Sequence, residues 1–291
     1  MGEAYGQLKV YKGEKFNFLK EATFQAHTSD IQRIKQSPFN IDYVATCSRD
    51  KTVKVWNSSS NWKLIQNYTG HTSFVLALEY ISKDRVATGS WDTTVQIWSI
   101  LNGTTEKTIK TGTGVNSLLL LSNNIHLACG LSNGNINIYN INNGSLMSTL
   151  IGHSSYVEDL VLINSELLVS SSDDSTINIW NLTSNEVKFT LVGHTDSVYI
   201  LKIVSPEIIA SGSFDNTIKL WNTSNGTLIK TLANHTDDIY WSVDLLNDGK
   251  TLVSGSFDQI IKLWDWTTGE CYKTVNTHSN IISLTLIKSK C

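Results

Sequence analysis

The strongest constraint on this chain is that it repeats itself, so any fold must be built from copies of one unit. The stretch Ser211-Gly-Ser-Phe-Asp-Asn-Thr-Ile-Lys-Leu-Trp221 has a near copy in Ser254-Gly-Ser-Phe-Asp-Gln-Ile-Ile-Lys-Leu-Trp264. Further copies run from Ser170 to Trp180, Thr88 to Trp98 and Thr46 to Trp56. All five begin with Ser or Thr, and in each an Asp stands six residues before the Trp: Asp50 and Trp56, Asp92 and Trp98, Asp174 and Trp180, Asp215 and Trp221, Asp258 and Trp264. A degraded sixth copy, Cys129 to Tyr139, carries Asn133 for the Asp and Tyr139 for the Trp.

A histidine provides a second marker. His27, His71, His153, His194, His235 and His278 each head a unit, with Gly112 in that place in the third, giving separations of 44, 41, 41, 41, 41 and 43 residues. After each marker comes a short apolar run such as Val198-Tyr-Ile-Leu-Lys-Ile-Val204, too short for a helix and rich in β-branched residues. Polar turns follow, and they contain the only two prolines, Pro38 and Pro206. A second strand then leads into the Asp turn, a third ends on the Trp, and a fourth follows an Asn- and Gly-rich turn such as Asn222 to Gly226. Four strands per unit with no helical period make a sheet-only repeat. Such sheets must stack on neighbours to bury both faces, and radial stacking closes them into a ring.

The repeat makes 1–291 a single domain although the length alone would allow two. A net charge of -3 and only three arginines, Arg33, Arg49 and Arg85, argue against a nucleic-acid surface and against a receptor for multiply phosphorylated peptides. Four cysteines without CxxC spacing read as small strand residues in a reducing compartment. With no signal sequence and no apolar run of about 18 residues, the chain is expected to be intracellular, cytoplasmic or nuclear, with no membrane partner. The Asn-x-Ser/Thr triplets, such as Asn67-Tyr-Thr, are then incidental.

The Gly-His starts (Gly70-His71, Gly152-His153, Gly193-His194) and the Trp-Asn or Trp-Asp ends (Trp56-Asn57, Trp180-Asn181, Trp221-Asn222, Trp264-Asp265) resemble those of WD repeats, over about residues 26 to 287. The resemblance implies an all-β propeller with four-stranded antiparallel blades. It also implies a tetrad in each complete unit, in which the turn Asp bonds the His, the His a second-strand Ser or Thr, and that hydroxyl the Trp indole. The expected sets are His27, Asp50 and Trp56; His71, Asp92 and Trp98; His153, Asp174 and Trp180; His194, Asp215 and Trp221; and His235, Asp258 and Trp264. In the fifth unit the hydroxyl is Ser211 or Ser213, since residues two apart share a strand face. Five equivalent His-Ser-Asp sets argue for a structural network rather than a catalytic triad. The third unit cannot form the tetrad and is expected to be the loosest.

Six WD repeats, residues 26–277, are local. The seventh unit has only one strand after His278, from Ile281 to Ile287, and the N-terminal segment 1–25 supplies its outer strands: Gly6-Gln-Leu-Lys-Val-Tyr11 matches Gly134-Asn-Ile-Asn-Ile-Tyr139. Seven blades are therefore expected, the last closed by both termini, with six blades and spare ends as the alternative. Its second strand has no clear source: the blade has three strands, Met1 to Tyr5 pairs poorly, or the chain is a piece of a longer one. A monomer is expected unless the open blade pairs with another chain.

WD propellers use the face beside the His loops and Asp turns. The residues here immediately before the turn Asp, and three and five residues after each His, are rich in aromatics and acids. Arg49, Phe74, Trp91, Tyr156, Glu158, Asp173, Tyr199, Phe214, Asp238, Tyr240 and Phe257 are the candidate partner-binding set. Aromatics around a channel hold cations, and carboxylates add charge-assisted bonds, so a peptide or protein segment bearing Lys or Arg is the expected ligand. No metal, cofactor or catalytic residue is expected, and the reading is a non-catalytic interaction scaffold. The alternatives are the sensor or substrate-recognition propeller of a larger multidomain protein, and an enzyme using the channel.

Overall fold

The computed structural model describes residues 6–14 and 17–287. Among them are six four-stranded antiparallel sheets, each in simple chain order. Blade one runs Ile31–Gln36, Tyr43–Ser48, Val53–Asn57 and Lys63–Tyr68; blade two Val75–Ser82, Arg85–Ser90, Thr94–Ser99 and Thr105–Lys110. Blade three is Val115–Leu120, His126–Leu131, Ile136–Asn140 and Leu146–Leu150; blade four Val157–Leu162, Leu167–Ser172, Thr176–Asn181 and Glu186–Val192. Blade five is Val198–Ser205, Ile208–Ser213, Thr217–Asn222 and Leu228–Ala233; blade six Val243–Leu245, Thr251–Gly255, Ile260–Asp265 and Glu270–Asn276. The N-terminal β1 (Gln7–Glu14) and β2 (Asn17–Gln25) pair as a two-stranded hairpin.

Second strands such as Leu167–Ser172 and Ile208–Ser213 are buried at five consecutive positions, as expected when neighbouring blades cover both faces. Small residues allow the close approach: Gly89 faces Val115 of the next blade, and Gly130 faces Val157. Fourth strands such as Leu228–Ala233 lie on the rim and are mostly exposed. The core is thus divided into wedges between blades. Val169, Ile177, Ile179 and Leu191 of blade four pack against Val198, Leu201, Ile209 and Trp221 of blade five. Each such fully buried aliphatic contributes about 1.5–3 kcal/mol, so stacking is the main force on the ring. A smaller wedge joins Leu8 and Ala26, with Val10 and Phe24, to Ile31 and Trp56 of blade one.

Seven four-stranded blades are not formed; six are complete. Residues 281–287 extend beside blade six, with a single parallel bridge between Trp241 and Ser283, and the hairpin lies against blade one. No described strand joins the two segments into one sheet, because the ladder between them needs a strand that no described residue supplies. The pairing considered for Met1 to Tyr5 lies outside the described residues, as does Cys291. Cys47 and Cys129 are buried free thiols, Cys271 is partly buried, and no helix among the described residues is long and apolar enough to cross a membrane.

Candidate functional site

The loops at one end of the ring are fixed by the tetrads. In blade five, His194 Nδ1 lies 2.7 Å from Asp215 Oδ2, His194 Nε2 lies 2.7 Å from Ser211 Oγ, and Trp221 Nε1 donates to the same Oγ at 2.8 Å. A carboxylate only accepts, so Nδ1 carries the proton and Nε2 accepts from the serine hydroxyl. Blades one, four and six repeat the arrangement through Thr46, Ser170 and Ser254. Ser213 has a different task, accepting from the Asp215 amide at 3.0 Å and donating to the Asp196 carbonyl at 3.1 Å. Burial pushes the Asp215 carboxyl up, but the hydrogen bond and charge of His194, with the Thr217 hydroxyl, hold it well below the usual carboxylate range. Burial lowers the His194 and His235 imidazoles, keeping both neutral.

Blade two departs from the expected tetrad. His71 bonds Asp92 at 2.7 Å and Thr88 at 2.8 Å, but the buried Trp98 Nε1 has no partner. Tyr68 stands three residues before this His, where the units of blades one, four, five and six have Phe24, Leu150, Leu191 and Leu232. Its ring stacks flat on Trp98 at 4.7 Å and meets His71 edge-on, while its hydroxyl binds Gln96 and Thr105. In blade three, Asn137 bonds Tyr139 at 3.0 Å and Thr149 at 2.9 Å, and Thr111 bridges the Thr93 and Thr113 carbonyls in place of a His.

His278 does not head a tetrad either. It is exposed with φ of 55°, matching Gly112 with φ of 80°. Thr277 repeats the bridging of Thr111, donating to the Gln259 and Ser279 carbonyls at 2.9 and 2.8 Å.

Inside this frame, the first strands of blades one to five each carry a β-bulge, leaving Gln32, Leu76, Asn116, Glu158 and Tyr199 without a direct partner in the register. Bulges re-aim side chains. All five turn into one cavity of about 150 Å³ at the channel mouth. Its lining also includes Arg49, Phe74, Trp91, Tyr156, Asp173, Tyr240 and Trp241. Eight of the expected residues therefore converge: Arg49, Phe74, Trp91, Tyr156, Glu158, Asp173, Tyr199 and Tyr240. Phe214, Phe257 and Asp238 are outside the lining. Phe214 stacks on Tyr199 at 4.2 Å and Phe257 on Tyr240 at 4.8 Å, so the two phenylalanines back the two tyrosines.

The lining is polar where it is deepest. Glu158 is buried, accepts from Asn116 Nδ2 at 2.9 Å, and is pushed up to about 7 by burial and by Asp173. Burial also raises Asp173, with Ser197 and Tyr199 pulling the other way. Buried Gln32 Oε1, Asp173 Oδ1, Arg33 Nη1 and Trp241 Nε1 have no hydrogen-bond partner. Among the described residues no group of three His, Cys, Asp or Glu side chains is disposed to hold a metal.

Arg33, Trp241 and Asn116 were absent from the expected set. The Arg33 guanidinium lies 4.0 Å from the Trp241 ring centroid, donates to the Glu158 carbonyl at 2.6 Å and stands 3.9 Å from Asp159. Trp241 lies six residues after His235, one beyond the counted positions three and five. Asn116 was hidden because its unit has no His from which to count.

Comparison with known proteins agrees with this architecture. The profile of the family described as "WD domain, G-beta repeat" matches residues 19–57, 62–99, 144–181, 185–222 and 226–265, omitting the third unit. The peroxisomal targeting signal 2 receptor of Mus musculus is 40% identical over 74 residues, 25% of this chain and 23% of the relative. The small ribosomal subunit protein RACK1 of Dictyostelium discoideum is 30% identical over 102 residues, 33% of this chain and 31% of the relative. The nuclear distribution protein PAC1 of Fusarium vanettenii is 32% identical over 100 residues, 31% of this chain and 22% of the relative. The matched segments thus span a third or less of each relative's length. The crystal structure of the WD40 β-propeller domain of Doa1 superposes with a TM-score of 0.75 at 25% identity, covering 88% of this chain and 85% of that one. The profile matches take in more than half of the chain, and with the tetrads and the stacked blades they make it a member of the WD-repeat β-propeller family.

Proposed function

We propose that this propeller is a non-catalytic interaction scaffold that captures a peptide segment at the channel mouth through a Lys or Arg side chain. The observation that carries the reading is the pairing of two stacked aromatic rows with orphan acceptors. Tyr199 and Tyr240, 4.6 Å apart, stand beside Asp173, whose buried Oδ1 has no partner. A buried acceptor without a donor costs about 1–3 kcal/mol, which a ligand N–H recovers on binding. Aromatic faces add cation–π attraction of about 0.5–2 kcal/mol. Asp173 and Glu158, both in the lining, are the acids the incoming cation meets.

The relatives' names describe a targeting-signal receptor, a ribosomal subunit protein and a nuclear distribution protein, which fits an intracellular scaffold but names no partner for this chain. Binding of a library of Lys- or Arg-containing peptides tests the proposal. Tyr240→Ala is expected to weaken the selected peptide at least ~10-fold in the folded fraction, in the range of an interface hot spot, and to lower the denaturation midpoint because its ring also stacks on Phe257. A folded Tyr240→Ala protein that binds as wild type does refutes the site.

A further inference from the structure

A Lys or Arg side chain answers only half of the channel mouth. Its nitrogens are donors, so it serves the Asp173 and Glu158 carboxylates but nothing that itself donates. Trp241 is such a group. It is 4% exposed, it belongs to the lining, and its Nε1–H, which can only donate, has no acceptor. The Arg33 guanidinium covers its ring at 4.0 Å, and Tyr199 and Tyr240 meet it edge-on at 5.5 and 5.3 Å, so three side chains fix the indole.

Blade one adds two guanidiniums. Arg33 Nη2 donates to the Glu158 carbonyl, whereas its buried Nη1 has no partner. Asp159, 3.9 Å from Arg33 Nη2, accepts instead from the Leu201 amide at 2.9 Å. Arg49, itself in the lining, stands 3.8 Å from Asp30, beyond the ~2.9 Å usual for a charge-assisted hydrogen bond. The groups of the mouth are thus divided by origin. The acids Glu158 and Asp173 come from blade four, and the guanidiniums and the indole N–H from blades one and six.

We propose that the ligand of the channel mouth carries a carboxylate next to its cation, received by Trp241 Nε1 together with Arg33 and Arg49. The proposal rests on the reading of the mouth as a Lys or Arg site and adds the counter-charge. Size requires the two charges to be close. A cavity of about 150 Å³ has the liquid volume of about five waters at ~30 Å³ each, room for one residue rather than a length of chain. A carboxylate fits better than a phosphate, because a dianion would stand against Glu158 and Asp173 in the same small space. Two sources supply the pair: the free C-terminus of a segment ending in Lys or Arg, and an Asp or Glu side chain adjacent to an internal Lys or Arg.

The test is a calorimetric titration of the full chain with four synthetic peptides: acetyl-Ala-Ala-Lys with a free C-terminus, the same peptide amidated, and amidated acetyl-Ala-Lys-Glu-Ala with its Lys-Gln counterpart. In at least one pair the acid is expected to bind at least ~10-fold tighter than its amide counterpart, the worth of one hydrogen bond to a charged group. Discrimination within the first pair assigns the carboxylate to a chain end, and within the second to a side chain. Trp241→Phe keeps an aromatic ring and removes the N–H, and Arg49→Gln, at an exposed position, removes the charge. Each is expected to shrink the acid-to-amide ratio by at least ~3-fold. Because both peptides meet the same variant, any loss of folded protein cancels in that ratio. Four peptides that bind equally overturn the proposal and leave the Lys or Arg site standing, whereas no binding by any of them overturns both. A ratio unchanged in both variants overturns the assignment to Trp241 and Arg49.

Discussion

The loop network and the channel mouth lie close together yet handle their acids in opposite ways. Around Asp215 every contact is closed: Oδ1 accepts from the Thr217 amide and hydroxyl, and Oδ2 from Thr195 and His194. At the channel mouth Asp173 Oδ1, Gln32 Oε1 and Trp241 Nε1 are buried with nothing to bond. Trp98 Nε1 and Asn216 Oδ1 in the loop network are orphans too, so it is the acids that differ: both oxygens of Asp215 are engaged, whereas Asp173 has one that is not.

The largest effect is expected from breaking the frame. His194→Ala leaves Ser211 and Asp215 without their shared partner and should cost about 2–4 kcal/mol in chemical denaturation. Asn133→Ala, at the exposed turn of the tetrad-free third blade, should stay within about 0.5 kcal/mol. Equal costs would erase the distinction between blades with and without the network.

Acid should dismantle the frame in two stages. His194 and His235 are lowered in the fold, so the unfolded chain binds their protons first and stability falls as pH drops below about 6.5. The depressed Asp50, Asp92, Asp174, Asp215 and Asp258 contribute stability above their unfolded value, lost as pH falls through about 4 and below. Denaturation midpoints measured from pH 8 to 3 check both stages. The channel mouth answers in its own range: Glu158, raised to about 7, ionises as pH rises through that value, so affinity for a cationic peptide should strengthen there. Titration of binding by calorimetry against pH would expose a flat profile.

A smaller difference is expected in local opening. Amides of Ile136–Asn140 in blade three should exchange faster than those of Thr217–Asn222 in blade five, since the former lack the His–Asp clamp on their turn. Native-state exchange that ranks the two strands equally would show that interblade packing alone sets their protection.

Much of this arrangement was legible in the sequence because a repeat in register fixes strand order, turn positions and the tetrad residues together. Position relative to the His and Asp also found eight lining residues. What escaped lay beyond the counted positions. Trp241 sits one place past the fifth residue after its His, and Arg33 reaches across the ring to blade four, a contact no nearest-neighbour pattern encodes. The blade count failed where the repeat itself is interrupted, at a unit whose second strand no described residue supplies.

Two adjacent acids put the division between frame and site to the most direct test. Asp173 lines the cavity and its buried Oδ1 has no partner, while Asp174 is clamped by His153 at 2.9 Å. Peptide affinity and denaturation midpoint should be measured together for Asp173→Asn and Asp174→Asn. The account predicts that Asp173→Asn weakens binding at least ~10-fold with stability nearly unchanged, while Asp174→Asn lowers stability by about 1–3 kcal/mol and spares binding in the folded fraction. Unchanged binding in Asp173→Asn, or loss of both properties in either variant, would contradict it.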